Sequence, residues 1–589
     1  MKSPCAAALV LAVSLHAAPA AAATATVHPR FDVLTMQADR QRTGWFSHEG
    51  RLTPGALKSG RFGKVWESPP LDGFGKYPAR LYASPLYVDG LTLGGGEHEG
   101  RNFRVVVAAT SSGFVYAINA APAHGVGPGT ILWKTQLVTP CVLPWDASTM
   151  GILGTPIIDK ARKTLYVSAC DAKAGFRVYG LDLATGAVRD GWPVSIDESV
   201  LSQPSVDRNP RRTPQVARAP NTWRLYIQRG ALNLSPDDRY LYIGMGQARG
   251  WVIAVDTARK SVASSFSATP LEEDSVGGVW ASTGVSVDAK GDIYAVTGAS
   301  SLQKEAPAPN NWSQSVLLFA PLTPAGFNLR AVYTPFDYCR TGAADIDLGS
   351  SGALIIPAGR RPPAEPLLAV GGKQGNAYLL GGASFARPGS ERRPCSQDPE
   401  TDASLLSPDV QPALAKRGPI NLFGPYSETD GMLDRAKSRS TPAYFRDAAG
   451  GEWLFYSGSN KDPADTNISV APGLVSLRLL RPAGRAPYLQ VEQRAMDFVL
   501  QNPGSPIVTS NGGRDGVVWV FDENAQRSAS LTGDDAPKPV LYAVDAKTLK
   551  LIWKTDPGEL QASGKYNSPI AADGRIYVGT DRIVAFGLK

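Results

Sequence analysis

Three charged side chains in one short stretch of the sequence have residue types and spacing that could do chemistry. Asp345 and Asp347 precede the apolar run Ala353 to Ile356, and Lys373 lies in a glycine-rich turn between two later apolar runs. Carboxylates in front of a strand commonly accept backbone N–H groups in a turn, but one that points into a cleft could act as an acid or bind a cation. The lysine could pair with either aspartate, or it could bind an anion. The residue types alone leave both alternatives open.

The elements that must position these groups recur along the chain. A copy begins with Ser or Thr and then Pro, continues through an apolar strand and a turn, and ends in two or three further short strands. Eight copies can be traced: from Ser84, Thr155, Ala231 and Val279, in the stretch Val332 to Gly381, and from Thr441, Ser505 and Ser568. The repeats predict an all-β protein, an eight-bladed β-propeller of four-stranded antiparallel blades.

The eighth copy contains only three strands before the sequence ends. The missing strand is available in Gly63-Lys64-Val65-Trp66, so we expect the N-terminal strand to pair beside the strand around Ile583. This pairing would close the ring and remove an open sheet edge, which an array of β-sandwiches would not explain. We also expect Trp66, Trp133 and Trp553 to lie on outermost strands and to pack between neighbouring blades.

In a propeller, the loops that lead into the blades converge on one mouth of the central funnel. Gln228-Arg229 precedes the inner strand of the third copy, and Ser510 to Asp515 is interpreted as preceding that of the seventh. We therefore expect Arg229, Lys373 and Arg514 to make this mouth cationic, with Asn511 beside Arg514 as a further ligand contact. The bound partner would be a small molecule or a protein.

Composition supports the all-β prediction and excludes some classes of function. The 589 residues include 60 Gly and 47 Pro, and Tyr, Val, Ile and Trp lie in short runs between turn signals. The formal charge of +7 is spread thinly, which favours solubility and argues against a nucleic-acid partner. All five His lie at or before His124, so a His-based metal site or a Ser-His-Asp triad is not predicted.

The first 25 residues have the pattern of a secretory signal peptide. Lys2 supplies a positive charge, Ala6 to Leu15 an apolar run, and Ala18 to Ala25 a series of small residues. We expect residues 1–25 to be removed and residues 26–589 to form the propeller. The mature protein is expected to be periplasmic or secreted, monomeric and without a membrane span.

Four cysteines follow the signal peptide, and they could form two disulfides by any of three pairings. They are Cys141, Cys170, Cys339 and Cys395. Local pairing, Cys141 with Cys170 and Cys339 with Cys395, closes the shorter loops and is our hypothesis. Because the sequence contains neither CxxC nor CxxCH, it indicates no zinc knuckle and no c-type haem.

The repeats resemble the tryptophan-docking motif of quinoprotein-type eight-bladed propellers, the fold of pyrroloquinoline quinone (PQQ)-dependent alcohol dehydrogenases. The motif appears in Val115-Tyr116-Ala117-Ile118-Asn119 with Trp133, and in Leu541-Tyr542-Ala543-Val544-Asp545 with Trp553. The resemblance covers nearly the whole mature chain. It implies the fold more strongly than an activity, because this propeller carries both dehydrogenases and non-enzymatic scaffolds.

For the dehydrogenases, the resemblance implies PQQ stacked on a Trp, a calcium ion as Lewis acid, an Asp base and a cation at the quinone oxygens. Gly277-Gly278-Val279-Trp280 resembles the segment that supplies the stacking Trp, and Lys373 falls at the position of the cation. The resemblance also implies a disulfide between two adjacent cysteines against the quinone, but no two cysteines are adjacent in this sequence. Ala299-Ser300 and Asn310-Asn311 stand where a calcium ligand and the base are expected.

These departures favour a ligand- or partner-binding module at the funnel of an exported propeller. The alternative is a PQQ-dependent oxidoreductase, of the alcohol or sugar dehydrogenase type, with altered metal and base positions. The sequence assigns no catalytic residue, no metal ligand and no cofactor.

Overall fold

Within the residues that the structure describes, eight sheets of four or more strands follow one another along the sequence. The structure, a computed structural model, describes residues 1, 31–143, 148–197, 227–246, 250–269, 277–298, 311–358, 366–389, 421–423, 437–459, 473–524 and 536–589. Each sheet has four antiparallel strands, and one has an additional fifth strand. This arrangement confirms the predicted eight-bladed β-propeller.

We number the blades 1 to 8 in chain order and give their strands from the inner to the outer edge. Blade 1 contains Leu86–Thr92, Asn102–Ala109, Phe114–Asn119 and Ile131–Gln136, and blade 2 contains Ile157–Asp159, Thr164–Asp171, Gly175–Asp182 and Val194–Ile196. Blade 3 contains Asn233–Leu234, Tyr240–Met245, Trp251–Asp256 and Ser261–Ser267, and blade 4 contains Ser286–Val287, Ile293–Val296, Val316–Phe319 and Leu329–Tyr333. Blade 5 contains Ala353–Ile355, Leu368–Val370, Ala377–Leu380 and Asn421–Phe423, and blade 6 contains Ala443–Arg446, Glu452–Ser457, Leu474–Leu480 and Tyr488–Arg494. Blade 7 contains Ile507–Asn511, Arg514–Asp522, Val540–Asp545 and Leu551–Lys554, and blade 8 contains Ile570–Ala572, Arg575–Gly579, Ile583–Leu588 and Phe62–Glu67. Val332 thus lies in the outer strand of blade 4, and blade 5 starts at Ala353.

Helices are few and short in the described part of the chain. They are the α-helices Pro54–Lys58 and Tyr338–Ala343 and the 3₁₀ turns Leu348–Ser350 and Gly382–Ser384, beside a two-stranded ribbon of Val142–Leu143 and Ser148–Thr149. None of the described helices is long and apolar enough to cross a membrane.

The ring is closed by the two ends of the propeller. Phe62–Glu67 pairs antiparallel with Ile583–Leu588, so that Phe62 lies opposite Leu588 and Glu67 opposite Val584. The N-terminal strand is therefore the outermost strand of blade 8, as the sequence predicts. An edge that would otherwise be open is paired.

The two middle strands of a blade are rich in apolar residues because each blade is covered by a neighbour on both faces. Every residue of Tyr240–Met245 and Trp251–Asp256 in blade 3 is buried. A strand with only one covered face would instead alternate between apolar and polar residues. Seven clusters of buried apolar side chains fill the spaces between blades in the described residues, so the core is distributed around the ring.

The Ser or Thr that opens a repeat links its blade to the next one. The backbone N–H of Ser84 donates to Thr155 Oγ1 at 2.9 Å, that of Thr441 to Ser505 Oγ at 2.9 Å, and that of Ser568 to Ser84 Oγ at 3.2 Å. The proline that follows has no N–H, so it leaves no unsatisfied donor at the start of the strand. The repeat signature therefore encodes a bond between blades.

Tryptophans on the outer strands dock onto glycines of the following blade. The indole of Trp133 in blade 1 donates to the carbonyl of Leu183 at 3.2 Å, and its ring covers Gly186. The Trp66 ring and the Glu67 carbonyl lie against Gly129, but the Trp66 indole N–H has no acceptor among the described residues. Trp553 packs against Phe62 and Phe586 of blade 8, with ring centroids 4.9 and 5.4 Å away. All three lie on outermost strands, as predicted.

An irregular segment, residues 33–44, covers the inner edge of the ring. Its carbonyl oxygens accept hydrogen bonds of 2.8–2.9 Å from inner-strand N–H groups of six blades, those of Tyr87, Ile158, Val287, Ile355, Tyr444 and Val508. Blade 3 is bonded through Asn233, whose amide donates to the carbonyl of Arg40 at 3.0 Å. The segment then continues as Trp45–Phe46, a fifth strand parallel to Ile507–Asn511 in blade 7. The repeat pattern of the sequence does not predict this segment.

One of the two expected disulfides lies within the described residues. Cys141 is bonded to Cys170, with their Cα atoms 5.8 Å apart, and this confirms the local pairing. The pairing of Cys339 with Cys395 stays a prediction, because Cys395 lies outside the described residues.

Candidate functional site

Four side chains from loops that lead into the inner strands meet at the centre of the ring. Arg229, Trp280, Arg439 and Tyr566 come from blades 3, 4, 6 and 8, respectively. The ring centroid of Tyr566 is 6.0 Å from that of Trp280, 5.0 Å from the guanidinium carbon of Arg229 and 6.0 Å from that of Arg439. We call these four residues, with Lys373 and Glu523, the central site.

Both arginines of the central site are buried. Arg229 is 6% exposed and Arg439 is 5% exposed. Arg439 donates to Asn502 Oδ1 at 2.7 Å. Nε of Arg229 is buried, and no hydrogen-bond acceptor contacts it in the described part of the chain. A buried guanidinium nitrogen without an acceptor is costly, since it has lost its water.

Lys373 connects Trp280 to the two aspartates found in the sequence. Its ammonium lies over the Trp280 ring, 5.3 Å from the centroid, and donates to the carbonyl and carboxylate oxygens of Asp345 at 2.9 and 3.1 Å. It also forms an ion pair with Asp347. Of the two alternatives that the sequence left open, the structure shows the lysine–aspartate pairing.

The aspartates owe their positions to the local turn. Asp345 follows the helix Tyr338–Ala343 and has a left-handed backbone with φ of 56°. The carbonyl of Asp347 accepts the backbone N–H of Lys373 at 2.9 Å, so the turn that carries the lysine is tied to the turn that carries the carboxylates. The spacing in the sequence thus becomes one charged cluster against Trp280.

A buried carboxyl group holds Tyr566 in place. Glu523 Oε2 accepts the backbone N–H of Tyr566 at 2.6 Å, and Oε1 has no hydrogen-bond partner in the described ranges. Burial raises the pKa of Glu523 well above its usual range, while the positive charges of Lys565 and Arg439 oppose that rise. The site therefore combines two guanidinium groups with a carboxyl group that favours its protonated form.

The structure does not bring Asn511 and Arg514 to the central site. Asn511 ends the inner strand of blade 7 and Arg514 begins the next strand, so both lie in the hairpin turn after the inner strand. The interpretation that Ser510 to Asp515 precedes the inner strand is wrong. That strand already starts at Ile507, and the glycines Gly512-Gly513 form the turn at its far end. Arg514 instead lines a cavity of about 500 Å³ together with Asp447, Asp545 and Lys547.

The positions at which the sequence departs from the dehydrogenase pattern are described only in part. Asn311 is fully buried, and its Oδ1 accepts the backbone N–H of Ser313 at 3.0 Å. Ala299, Ser300 and Asn310 lie outside the described residues. The side chain of Asn311 therefore has a structural role in its own loop.

Sequence reasoning missed Arg439, Glu523 and Tyr566. A signal for two of them was present, because Tyr566 and Arg439 each stand two residues before the Ser or Thr that opens a copy, at Ser568 and Thr441. Arg229 stands at the corresponding position before Ala231. Aligning the copies on this residue would have placed all three at one mouth. Glu523 carries no such signal, since it follows the second strand of blade 7.

Comparison with solved structures supports the fold. The chain is similar to a quinohemoprotein alcohol dehydrogenase from Comamonas testosteroni, with a TM-score of 0.53, 15% identity, and coverage of 94% of this chain and 80% of that one. For quinohemoprotein alcohol dehydrogenase ADHIIG from Pseudomonas putida HK5 the TM-score is 0.54 and the identity 14%, with coverage of 95% of this chain and 80% of that one. For a europium-containing methanol dehydrogenase the TM-score is 0.52 and the identity 14%, with coverage of 94% of this chain and 91% of that one. At this identity the likeness shows the fold alone.

No family model matches the sequence, nor does any curated protein. The resemblance to quinoprotein-type propellers therefore holds for the architecture: eight blades, docked tryptophans and a closed ring.

The described residues do not fit a calcium-bound quinone. Trp280 is only 6% exposed, because Tyr566 and Lys373 both lie against its ring, so no face is open for a stacked cofactor. Both carboxylates beside it are ion-paired with Lys373. Within the described ranges, no group of three His, Cys, Asp or Glu side chains could hold a metal ion.

Proposed function

We propose that this propeller is a binding module that holds a small anionic ligand at the central site. The observation that carries the proposal is Arg229, whose guanidinium group is buried against Tyr566 and whose Nε lacks an acceptor among the described residues. An anion would supply that acceptor and compensate the buried positive charge. Arg439, on the same aromatic ring, adds a second guanidinium group.

Lys373 has a different part in this proposal. Its charge is already compensated by Asp345 and Asp347, so it serves chiefly to hold Trp280 as one wall of the site. Arg514 is left out of the site because it lies at the far end of blade 7. We further propose that the protein works in the periplasm or outside the cell, after removal of its signal peptide. The signal-peptide pattern and the Cys141–Cys170 disulfide support export.

Titration calorimetry with citrate on the purified mature protein tests the binding proposal. We expect saturable binding that weakens as salt is added, since the attraction is between charges. Arg229→Met should weaken it by about tenfold or more, which corresponds to the loss of a charge-assisted hydrogen bond. Arg514→Met is the matched control: it removes the same charge outside the site and should leave the affinity unchanged.

Two results would contradict the proposal. One is citrate affinity that is equal in wild type and Arg229→Met; the other is an equal loss in Arg229→Met and Arg514→Met, which would indicate a general charge effect. A separate assay addresses the oxidoreductase alternative. Calcium-dependent, dye-linked oxidation of an alcohol or sugar after addition of PQQ would place enzymatic activity ahead of simple binding.

A further inference from the structure

Resting on the proposed function, we infer that Tyr566 decides the shape of the ligand, so that the central site takes compact oxyanions and excludes flat aromatic acids. A flat acid needs an open aromatic face or slot, as stacked rings do. In this chain the phenol ring of Tyr566 occupies the space beside Trp280 where such a ring would lie.

The Trp280 ring is enclosed by this chain's own residues. Tyr566 lies 6.0 Å away with its plane inclined by 56°, and the Lys373 ammonium lies 5.3 Å from the indole centroid. The backbone of Gly298 closes the indole N–H edge, because a Cβ there would be 3.0 Å from Trp280 Nε1. A flat ligand could reach the indole only by displacing Tyr566 or Lys373.

Lys373 is held too firmly to be the residue that yields. Its ammonium contacts the carbonyl of Asp345 and the carboxylates of both Asp345 and Asp347. Removing it from these partners would leave a nearly buried carboxylate without its cation, which is strongly unfavourable. Access to Trp280 therefore depends on Tyr566.

Tyr566 is held in a strained backbone conformation. Its φ is +68°, a left-handed conformation that is unfavourable for a bulky side chain. The buried carboxyl group of Glu523 binds its N–H, and the guanidinium groups of Arg229 and Arg439 lie against its ring. Strained residues that are fixed by several partners tend to mark functional sites.

A compact oxyanion matches the groups that remain available around Tyr566. Nε of Arg229 needs an acceptor, and Oε1 of Glu523 has no partner in the described part of the site. A carboxylate or phosphate group carries oxygens on several sides, so it could accept from the guanidinium group and from a protonated carboxyl group together. A flat aromatic acid carries the same kind of oxygens, but its rigid ring needs the space beside Trp280 that the Tyr566 ring fills.

Two tricarboxylates of the same charge and different shape test the inference. Citrate is compact and flexible, whereas benzene-1,3,5-tricarboxylate is flat and rigid. For wild type we expect calorimetry to show citrate binding at least about tenfold tighter than that of the aromatic acid. Tyr566→Ala should strengthen binding of the aromatic acid by about tenfold and change citrate binding less. Tyr566→Phe retains the ring and should keep the preference for citrate over the aromatic acid.

The left-handed backbone could make Tyr566→Ala fold poorly, so Tyr566→Gly provides a second variant that tolerates this conformation. Equal affinity of wild type for the two acids would overturn the inference while leaving the proposed function intact. An unchanged affinity ratio in both variants would overturn it as well. If wild type binds neither acid, the proposed function fails together with the inference.

Discussion

The guanidinium group of Arg42 donates a hydrogen bond of 2.9 Å to the carbonyl oxygen of Leu232, 190 residues further along the chain. It also donates to Thr35 Oγ1 at 2.6 Å and to the carbonyl of Met36 at 3.0 Å. Arg42 is fully buried. One side chain thus folds the N-terminal segment on itself and ties it to blade 3.

Replacing this arginine should destabilise the whole propeller. Arg42→Met removes a donor from the carbonyl of Met36 and the shorter of two hydrogen bonds to that of Leu232, so we expect the free energy of unfolding to fall by about 3 kcal/mol or more in urea titrations. Arg40→Met is the control, because Arg40 is partly exposed and its ion pair with Asp238 lies near the surface. That change should cost only about 1 kcal/mol. Equal losses in the two variants would show that Arg42 has no special role.

The docking of Trp133 onto Gly186 can be measured separately from backbone strain. Gly186 and Gly60 share a φ of +74°, so alanine is equally strained at both positions. A Cβ at Gly186 would lie 2.5 Å from the Trp133 ring, whereas a Cβ at Gly60 would meet nothing within 4 Å. Gly60→Ala should cost about 1 kcal/mol in unfolding free energy, and Gly186→Ala about 1 to 3 kcal/mol more. Equal costs would mean that blade 2 does not depend on this contact.

Glu49 should make stability depend on pH around neutrality. Its side chain is buried and accepts the backbone N–H of Gly574 at 2.7 Å. Burial and the nearby charge of Asp573 raise its pKa from 4.5 to about 7, although Arg51 opposes the rise. Because the folded protein binds this proton more tightly than the unfolded chain, the contribution is complete below about pH 4.5 and is lost as the pH rises through 7.

The measurement is the free energy of unfolding across that window. We expect wild type to lose up to about 3 kcal/mol more than Glu49→Gln between pH 4.5 and 8. Glu67→Gln, which removes a carboxyl group from the surface, should keep the slope of the wild type. A Glu49→Gln profile that runs parallel to wild type would rule out this proton as the cause.

The pairing of Lys373 makes it a stabilising residue. Lys373→Met removes the cation from the nearly buried Asp347, and we expect a loss of about 3 kcal/mol in unfolding free energy. The double variant Lys373→Met/Asp347→Asn should recover part of this loss, since it also removes the uncompensated charge. A melting temperature that does not change in Lys373→Met would instead favour a lysine kept for ligand binding.

The ring of blades could be predicted because the residue types that form the contacts between blades recur in the repeats. Ser84 and Ser568 bond across the closure through a hydroxyl group, and the following proline marks each strand start. Trp133 needs a glycine beneath it, which leaves a visible pair in the sequence. Short local motifs of this kind can be recognised in a single sequence.

The segment 33–44 and much of the central site could not be predicted for the opposite reason. The segment bonds to the blades mainly through its own carbonyl groups, and a carbonyl group is the same in every residue. Tyr566 and Glu523 meet across two blades, and their contact depends on a left-handed backbone at a tyrosine. No pattern of residue types indicates that conformation.

Residues 33–46 bond to blades 1 to 7, although they precede all of them in the chain. The amide of Gln37 donates to the carbonyl of Pro506, 469 residues later, so this contact cannot form until blade 7 has been synthesised. Contacts between residues so far apart in sequence are typical of slow folding. The part of the segment that bonds to the later blades must therefore stay unpaired until those blades have been synthesised, and a chaperone that shields it would shorten the time in which partly built blades can associate with other molecules.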